Sequence, residues 1–506
     1  MELAAVQSRR DQVQAYTFTV GRLTSGMLMA DPDAVDTPMN RTRRGGVIGL
    51  VIGALICAGF MVVGLLLPKD SDAWRRPGVL IMEKETGARY VYGAGTLRPV
   101  INYTSAKLVT GDKGTVQQVS RSTLADVPRG TPIGIPGAPD SLPAADRLTD
   151  APWRVCATSR PADDGALVPT TTLIAGVTPQ DAPELGQNEA LLVTTRNGRQ
   201  STDLLLWHGT RFRLDSAHGA LQSLGYGTVE PLAVDDAFLS AIPAGADLAP
   251  WTVPGSGSTG PRLGGRLSRV GQLFVVRTPG SPDQYYLLDR AGLVPLTLTE
   301  LQLLRGDPRT RQKAYAGQQP TVMTVPPDEA AQHMAPQGTA ARAGADTLPV
   351  RPPAALAPQA GSVPCLQVTP GEAAPRQSIV RVAAAEATGM PVGTRQGVAP
   401  SCPGPDAITV RPGSGILATP LSGGTTTSGA RYLVTDDGIK YPLAAPAVSG
   451  LLSYPDQNLV RLPSALLRLL PTGPVLDPDR AADPALSGPE PASPDPECGP
   501  ARRTGS

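Results

Sequence analysis

From Gly46 to Leu67 the chain reads GVIGLVIGALICAGFMVVGLLL, an apolar run without a charge. At 1.5 Å per residue, about 20 such residues cross the hydrocarbon layer, so the run predicts a transmembrane helix. A cleaved signal sequence has a shorter apolar core near its start, whereas here residues 1–45 are mostly polar. Within them Tyr16, Val20, Leu23 and Met27 recur at i, i+4, i+7 and i+11, one face of a helix that wants a protein or membrane partner. Beyond the span the pattern changes to short β-prone runs separated by glycine and proline.

One such pattern occurs four times, as RYVYGAGTLRPV from Arg89, DLLLWHGTRFRL from Asp203, YYLLDRAGLVPLT from Tyr285 and RYLVTDDGIKYPLA from Arg431. Each is a strand, a short turn containing Gly95, Gly209, Gly292 or Gly438, and a second strand. Another apolar strand precedes each copy: VLIME, ALLVTT, LFVVRT and GILATP. At a nearly constant distance downstream, a stretch rich in small and apolar residues ends at Pro128, Pro243, Pro326 or Pro471. The expected unit is a β-meander followed by a helix, too small to bury a core alone, so the copies should pack on each other or on a shared centre.

Between the copies lie further β-rich stretches, among them RVCATS, PCLQVTP and AITVRP, which predict a central β domain assembled from distant pieces. The expected fold is α+β: a single N-terminal transmembrane helix, then an elongated exported region of four small β-meander/helix repeats around that centre. The expected boundaries are a cytoplasmic segment 1–45, the span 46–67, and repeat one 75–140. The central domain takes 150–195 and 362–414, and repeats two, three and four take 196–255, 266–330 and 415–476. A Pro- and Ala-rich stretch, 331–361, predicts a disordered linker, and 477–506 a Pro-rich tail.

Charge and cysteine placement orient the chain. Arg41, Arg43 and Arg44 abut the span, whereas Lys69, Arg75 and Arg76 on its far side are diluted by Asp70 and Asp72. Cys57 lies in the span, and Cys156, Cys365, Cys402 and Cys498 all follow it, an even number suited to an oxidising compartment. The reading is a cytoplasmic N-terminus and an exported C-terminal region. A disulfide from Cys156 to Cys365 would staple the two halves of the central domain, and Cys402 could pair with Cys498 or stay reduced or intermolecular.

Composition narrows the function. Across 506 residues there are 55 Gly and 54 Pro, which predicts many turns and short elements. A net charge of +1 supplies no field for nucleic acid. No GKS or GKT occurs, so a lysine-bearing phosphate loop is missing, and GSGSTG at Gly255 reads as a linker. The three histidines, His208, His218 and His333, form no ligand-like spacing, and Asp436 and Asp437 precede Gly438 as ordinary turn residues. No catalytic, cofactor or metal site is expected.

The segment QVQAYTFTVGRLTSGMLMADPDAVDTPMNRTRRGG, one span, and then PGVLIMEKETGARYVYGAGTLRPVINYTSAKLVTG together resemble the EccB component of actinobacterial type VII (ESX) secretion systems. LRPVINYTSAKLV from Leu97 to Val109 is the most specific part. The resemblance implies four repeats around a central β domain bridged by one disulfide, here Cys156 to Cys365. It implies a structural core subunit beside an EccC-type motor ATPase, EccD and EccE, with self-association on the exported side. Some members of that family carry an ATPase label, to which this sequence offers no phosphate loop. A module binding cell-wall peptidoglycan is the alternative, though 5 Phe, 4 Trp and 11 Tyr leave few aromatics for glycan stacking.

Overall fold

The computed structural model describes residues 9–30, 38–66, 72–111, 114–197, 200–336, 338, 347–371, 374–422, 425–426 and 429–486. It divides into two units, residues 1–75 and 76–506. The first holds α1 (Arg9–Met29) and α2 (Pro38–Leu66), and within α2 the segment Thr42–Val63 is long and apolar enough to cross a membrane. The helix starts before the apolar run predicted at 46–67, because Pro38 is harmless in a first turn and nothing up to Arg44 breaks a helix. Leu67 lies outside the described residues.

The second unit opens with β1 (Val79–Glu83), β2 (Arg89–Gly93), β3 (Thr96–Pro99), α3 (Tyr103–Thr110), β4 (Thr115–Val119) and α4 (Arg121–Leu124). The first two central strands follow, β5 (Trp153–Pro161) and β6 (Leu167–Ala175). Then come β7 (Glu189–Asn197), β8 (Gln200–Trp207), β9 (Thr210–Arg213), α5 (Ala220–Ser223), β10 (Leu232–Ala233) and α6 (Asp236–Ala241). A separate hairpin, β11 (Thr259–Leu263) and β12 (Arg266–Arg269), precedes β13 (Leu273–Val276), β14 (Gln284–Asp289), β15 (Gly292–Leu296), α7 (Leu298–Gly306), α8 (Pro308–Ala314), β16 (Val322–Thr324) and α9 (Pro327–Gln332). After β17 (Ala354–Leu356), the central strands β18 (Ser362–Thr369), β19 (Arg376–Ala383), β20 (Met390–Pro391) and β21 (Ala407–Val410) return. The chain ends in β22 (Ile416–Ser422), β23 (Thr425–Thr426), β24 (Tyr432–Val434), β25 (Lys440–Pro442), α10 (Val448–Leu451), β26 (Leu459–Pro463), α11 (Ser464–Arg468) and α12 (Pro478–Ala482).

Four sheets share one strand order: β3-β2-β1-β4, β9-β8-β7-β10, β15-β14-β13-β16 and β25-β24-β22-β26. The unit is therefore more than a meander and a helix. A fourth strand returns parallel to the first, Val116 opposite Leu80, Leu232 opposite Val193, Val322 opposite Leu273 and Leu459 opposite Leu417. A parallel return needs a crossover, and the helix after the meander supplies it.

An extended segment then docks on the outer edge of each third strand. Leu97 N–H donates to Pro128 O at 2.8 Å and Gly130 N–H to Leu97 O at 3.0 Å. Arg211 bonds in the same way with Pro243 and Gly245, and Lys440 with Pro471 and Gly473. The Pro-x-Gly pattern has a steric cause in two copies: a Cβ on Gly245 would lie 2.4 Å from the Phe212 ring, and one on Gly473 2.3 Å from the Tyr441 ring. In the third copy the same bonds run from Leu293 N–H to His333 O and from Ala335 N–H to Leu293 O. The expected equivalence of Pro326 is thus corrected: it precedes α9, where the other copies have Ser120, Asp235 and Pro463.

The central sheet runs β19-β18-β5-β6-β21-β20, two hairpins joined where β5 and β18 pair antiparallel. Cys156 sits opposite Cys365 in that register, and the two are bonded across a sequence separation of 209. Closing a loop of 209 residues contributes about 5 kcal/mol by chain entropy alone.

Several boundaries move. β7 pairs with β8 and β10, so the edge drawn between residues 195 and 196 cuts through the first strand of the second repeat. The stretch expected as a linker, 331–361, contributes β17, which lies parallel to β7 with Ala354 opposite Glu189, in line with β10 further along the same strand. Its neighbours hold it by backbone: Tyr226 hydroxyl donates to Pro353 O at 2.9 Å and Leu298 N–H to Val350 O at 3.0 Å. Residues 266–269, assigned to the third repeat, belong to the β11–β12 hairpin, and the segment after Gly255 leads into it. The tail beyond 477 begins with α12, whose Ala481 is fully buried.

The cores give the packing order. One joins Trp153, Val155 and Leu173 of the central sheet to Leu204 and Phe238 of the second repeat and to Ile416 and Leu466 of the fourth. Another joins Leu433, Tyr441 and Val448 of the fourth repeat to Leu108 and Ile135 of the first and to Ala481. Leu303 of α7 enters the core of the second repeat and so links the third to it.

Candidate functional surfaces

The first candidate is the helix face predicted before the span. α1 carries Tyr16, Val20, Leu23 and Met27 at 72%, 43%, 63% and 86% exposure. Val13 extends the row by one turn, giving alternating steps of three and four residues, the spacing of a helix–helix seam. Phe18 and Leu28 are also exposed off this row, so apolar surface is spread more widely than one stripe. Thr19, Thr24 and Ser25 donate to the carbonyls of Ala15, Val20 and Gly21 at 2.7, 2.5 and 2.7 Å, which satisfies these hydroxyls without water.

The four turn glycines divide into distinct environments. Gly95 and Gly209 occupy the second position of two-residue turns, after Ala94 (φ 51°) and His208 (φ 48°), the all-positive geometry of a tight hairpin. The Gly95 tip is open, with nothing within 4 Å of a Cβ, whereas a Cβ on Gly209 would meet Gln377 O of the central sheet at 2.8 Å. Gly438 closes a three-residue loop, its N–H donating to Thr435 O, and packs against Ile408. Gly292 lies one residue past its turn, opposite Asp289, a correction to its expected place. Hairpins two and four are therefore docked on the centre, and hairpin one presents its tip outward.

The polar residues that sequence singles out are occupied structurally. Asp436 accepts from Gly413 N–H at 2.8 Å, and Asp437 pairs with Arg395 at 2.7 Å while accepting from Thr435 hydroxyl. His208 stacks on Trp207 at 4.1 Å, and His218 Nδ1 lies 2.6 Å from Asp215. The carbonyl of His333 serves the third repeat's edge segment. Among the described residues no group of three or more His, Cys, Asp and Glu is placed to hold a metal. Cys402 is exposed, and Cys498 lies outside the described residues.

Two charged groups, one buried and one half-buried, lie at the central sheet. Arg154 is 1% exposed, and its Nη2 donates to Val177 O at 2.7 Å. Burial pushes its pKa down, and Glu386 pulls the other way. Asp235 caps α6 through Phe238 N–H at 3.0 Å and accepts from Thr171 hydroxyl. Burial pushes its carboxyl up, the two hydrogen bonds oppose this, and Asp406 and Asp236 add to it.

Sequence reading passed over Asn102, whose position ahead of a helical stretch is its only signal. Its side chain accepts from Ser105 N–H at 2.9 Å and donates to Ile135 O at 2.8 Å, while Ile135 N–H donates to Ser105 Oγ at 2.9 Å. This residue makes the stretch Leu97–Val109 a structural knot: it starts α3 and holds the loop that follows α4.

The comparisons with known proteins bear on the whole chain. A family model described as "Type VII secretion system ESX-1, transport TM domain B" matches residues 6–484. The chain is 28% identical over 447 residues to the ESX-3 secretion system ATPase EccB3 of Mycolicibacterium smegmatis, covering 85% of this chain and 82% of that protein. It is 28% identical over 456 residues to the ESX-2 secretion system ATPase EccB2 of Mycobacterium tuberculosis, covering 86% of each. A chain of an intact ESX-5 inner membrane complex has the same fold, with TM-score 0.62, 23% identity and coverage of 97% of this chain and 98% of that one. The EccB3 dimer from the ESX-3 core complex gives TM-score 0.61 at 25% identity, covering 79% of this chain and 99% of that one.

Proposed function

The chain belongs to the EccB family of type VII secretion systems, and from that premise we propose that it is a membrane-anchored structural core subunit of a type VII inner-membrane complex. α2 anchors it, α1 stands on the cytoplasmic side and docks into the machine, and the four-repeat unit stands on the exported side and meets further copies. The observation that carries this reading is that one fold runs through nearly the whole chain and matches a subunit of an inner-membrane assembly. A relative solved as a dimer supports self-association. The cations Arg43 and Arg44 next to the apolar run, and the disulfide beyond it, support the orientation. The partners on this reading are an EccC-type motor, EccD, EccE and the bilayer.

We assign no nucleotide chemistry to the chain, although its relatives' names contain the word ATPase. No lysine-bearing phosphate loop occurs in the sequence, and the Asp436–Asp437 pair is committed to Gly413 and Arg395. Hydrolysis that tracks the purified chain through successive columns and vanishes on one substitution would overturn this.

The assembly role is tested by deleting residues 1–45 while keeping the span and purifying through a C-terminal tag. The truncated chain should still insert but lose co-purification of the motor and the other membrane subunits. A complex of undiminished size and composition excludes docking through α1.

A further inference from the structure

Between the central sheet and the second repeat lies a cleft of about 370 Å³, within the range of about 300 to 1,000 Å³ that small-molecule sites occupy. Its origin is topological. The fourth position of the second repeat's sheet is filled by two in-line pieces, β17 ending at Leu356 opposite Leu191 and β10 starting at Leu232 opposite Val193. Leu356 and Leu232, on either side of that break, both line the cleft, together with Leu185, Leu191 and Ile379. Arg381 also lines it, two residues along β19 from Ile379 and so on the same face. Its Nε is buried without an acceptor, and the residue also borders the neighbouring open cavity that holds Asp181 and Glu386, neither of which is ion-paired to it. A guanidinium is always charged and presents fixed donors suited to a carboxylate, so a buried, unanswered donor beside an apolar cleft asks for an anion attached to an apolar body.

We propose that this cleft is a binding site for a single-chain amphiphilic anion, a fatty carboxylate whose head pairs with Arg381 and whose chain lies along Leu185, Leu191, Leu232 and Leu356. One cation, and a wall that is aliphatic or small apart from Thr158, Ser159, Gln359 and Ser362, fit one charge and one alkyl chain. The apolar anchor α2 keeps the chain in a membrane, the reservoir of such molecules.

The test uses the full chain in membranes, a dodecanoate carrying a terminal photoactivatable diazirine, and peptide mapping by mass spectrometry after irradiation. Adducts are expected on peptides spanning 185–191 and 354–364, removed by excess dodecanoate but not by dodecanol. Arg381→Gln should lower cleft labelling at least tenfold, Arg381→Lys should restore part of it, and Leu191→Trp, which fills the cleft, should abolish it. Each variant is checked for an intact Cys156–Cys365 bond, and the arginine variants keep the test decisive where the tryptophan prevents folding. Adducts confined to residues 42–63, or cleft labelling unchanged in Arg381→Gln and competed equally by dodecanol, would overturn the proposal.

Discussion

A methyl group at position 292 would lie 2.5 Å from His333 O and 2.8 Å from Ala335 N, on a backbone with φ +132°. At position 95 it would meet nothing within 4 Å, although φ is +77°. Gly95→Ala should therefore cost about 1 kcal/mol, the penalty of a left-handed L-residue alone. Gly292→Ala should cost about 3 kcal/mol, because it also drives the third repeat's edge segment off β15. Thermal unfolding of the two variants in detergent checks the order. Asp235 gives a pH prediction. Its folded carboxyl holds its proton more tightly than in the unfolded chain, so its contribution to stability is full in acid and is lost as pH rises through the raised value. Asp235→Asn, which can still cap α6, should lessen the fall in urea midpoint from pH 4 upward through neutrality, and parallel pH curves for both proteins would refute this. Turn glycines were legible as a residue type near each hairpin, but the distinction between Gly95 and Gly292 was not, because it depends on which backbone comes within 3 Å.

At the scale of elements, α12 is a five-residue helix in what composition reads as a tail, and Asp477 caps it through Asp479 N–H at 3.0 Å. Its Ala481 enters the core that joins the fourth repeat to Leu108 of the first. Truncation after Leu476 should loosen the first repeat and expose α3 to proteolysis, whereas truncation after Leu486 should leave the digestion pattern unchanged; identical patterns would remove the role. The meanders were visible in sequence because their apolar residues alternate and glycine marks their turns. β4, reading TVQQV with Val116 half exposed, and β17, reading AAL, were not. Such strands are held by main-chain pairing to a neighbour, which composition does not encode. The proline marker failed in the third copy for a related reason: Val294 stands where the second and fourth copies have Phe212 and Tyr441, so no glycine is needed across from it and Ala335 fits.

For the whole molecule, sequence order and packing order differ. The first repeat shares a core with the fourth, the fourth and second share one with the central sheet, and the third joins through the second. The four copies are legible in local pattern, as is the family resemblance carried by the N-terminal segment, the span and the stretch through Leu97–Val109, but the neighbour relations arise from β5 and β18 meeting across a long excursion, which local pattern cannot reveal. That excursion is closed covalently at Cys156 and Cys365, and the second and third repeats both lie on it. The consequence is mechanical. Tension applied between the membrane end and the C-terminus passes along the first repeat, crosses the sulfur bridge and continues into the fourth, so repeats two and three hang outside the load path. Stretched between its ends in an optical trap, the oxidised chain should stop short of full extension, and reduction should release about 70 nm more from the 209-residue loop. The bond thus makes the outer pair of repeats a tether under strain and leaves the inner pair slack, able to hold their shape while the ends are pulled.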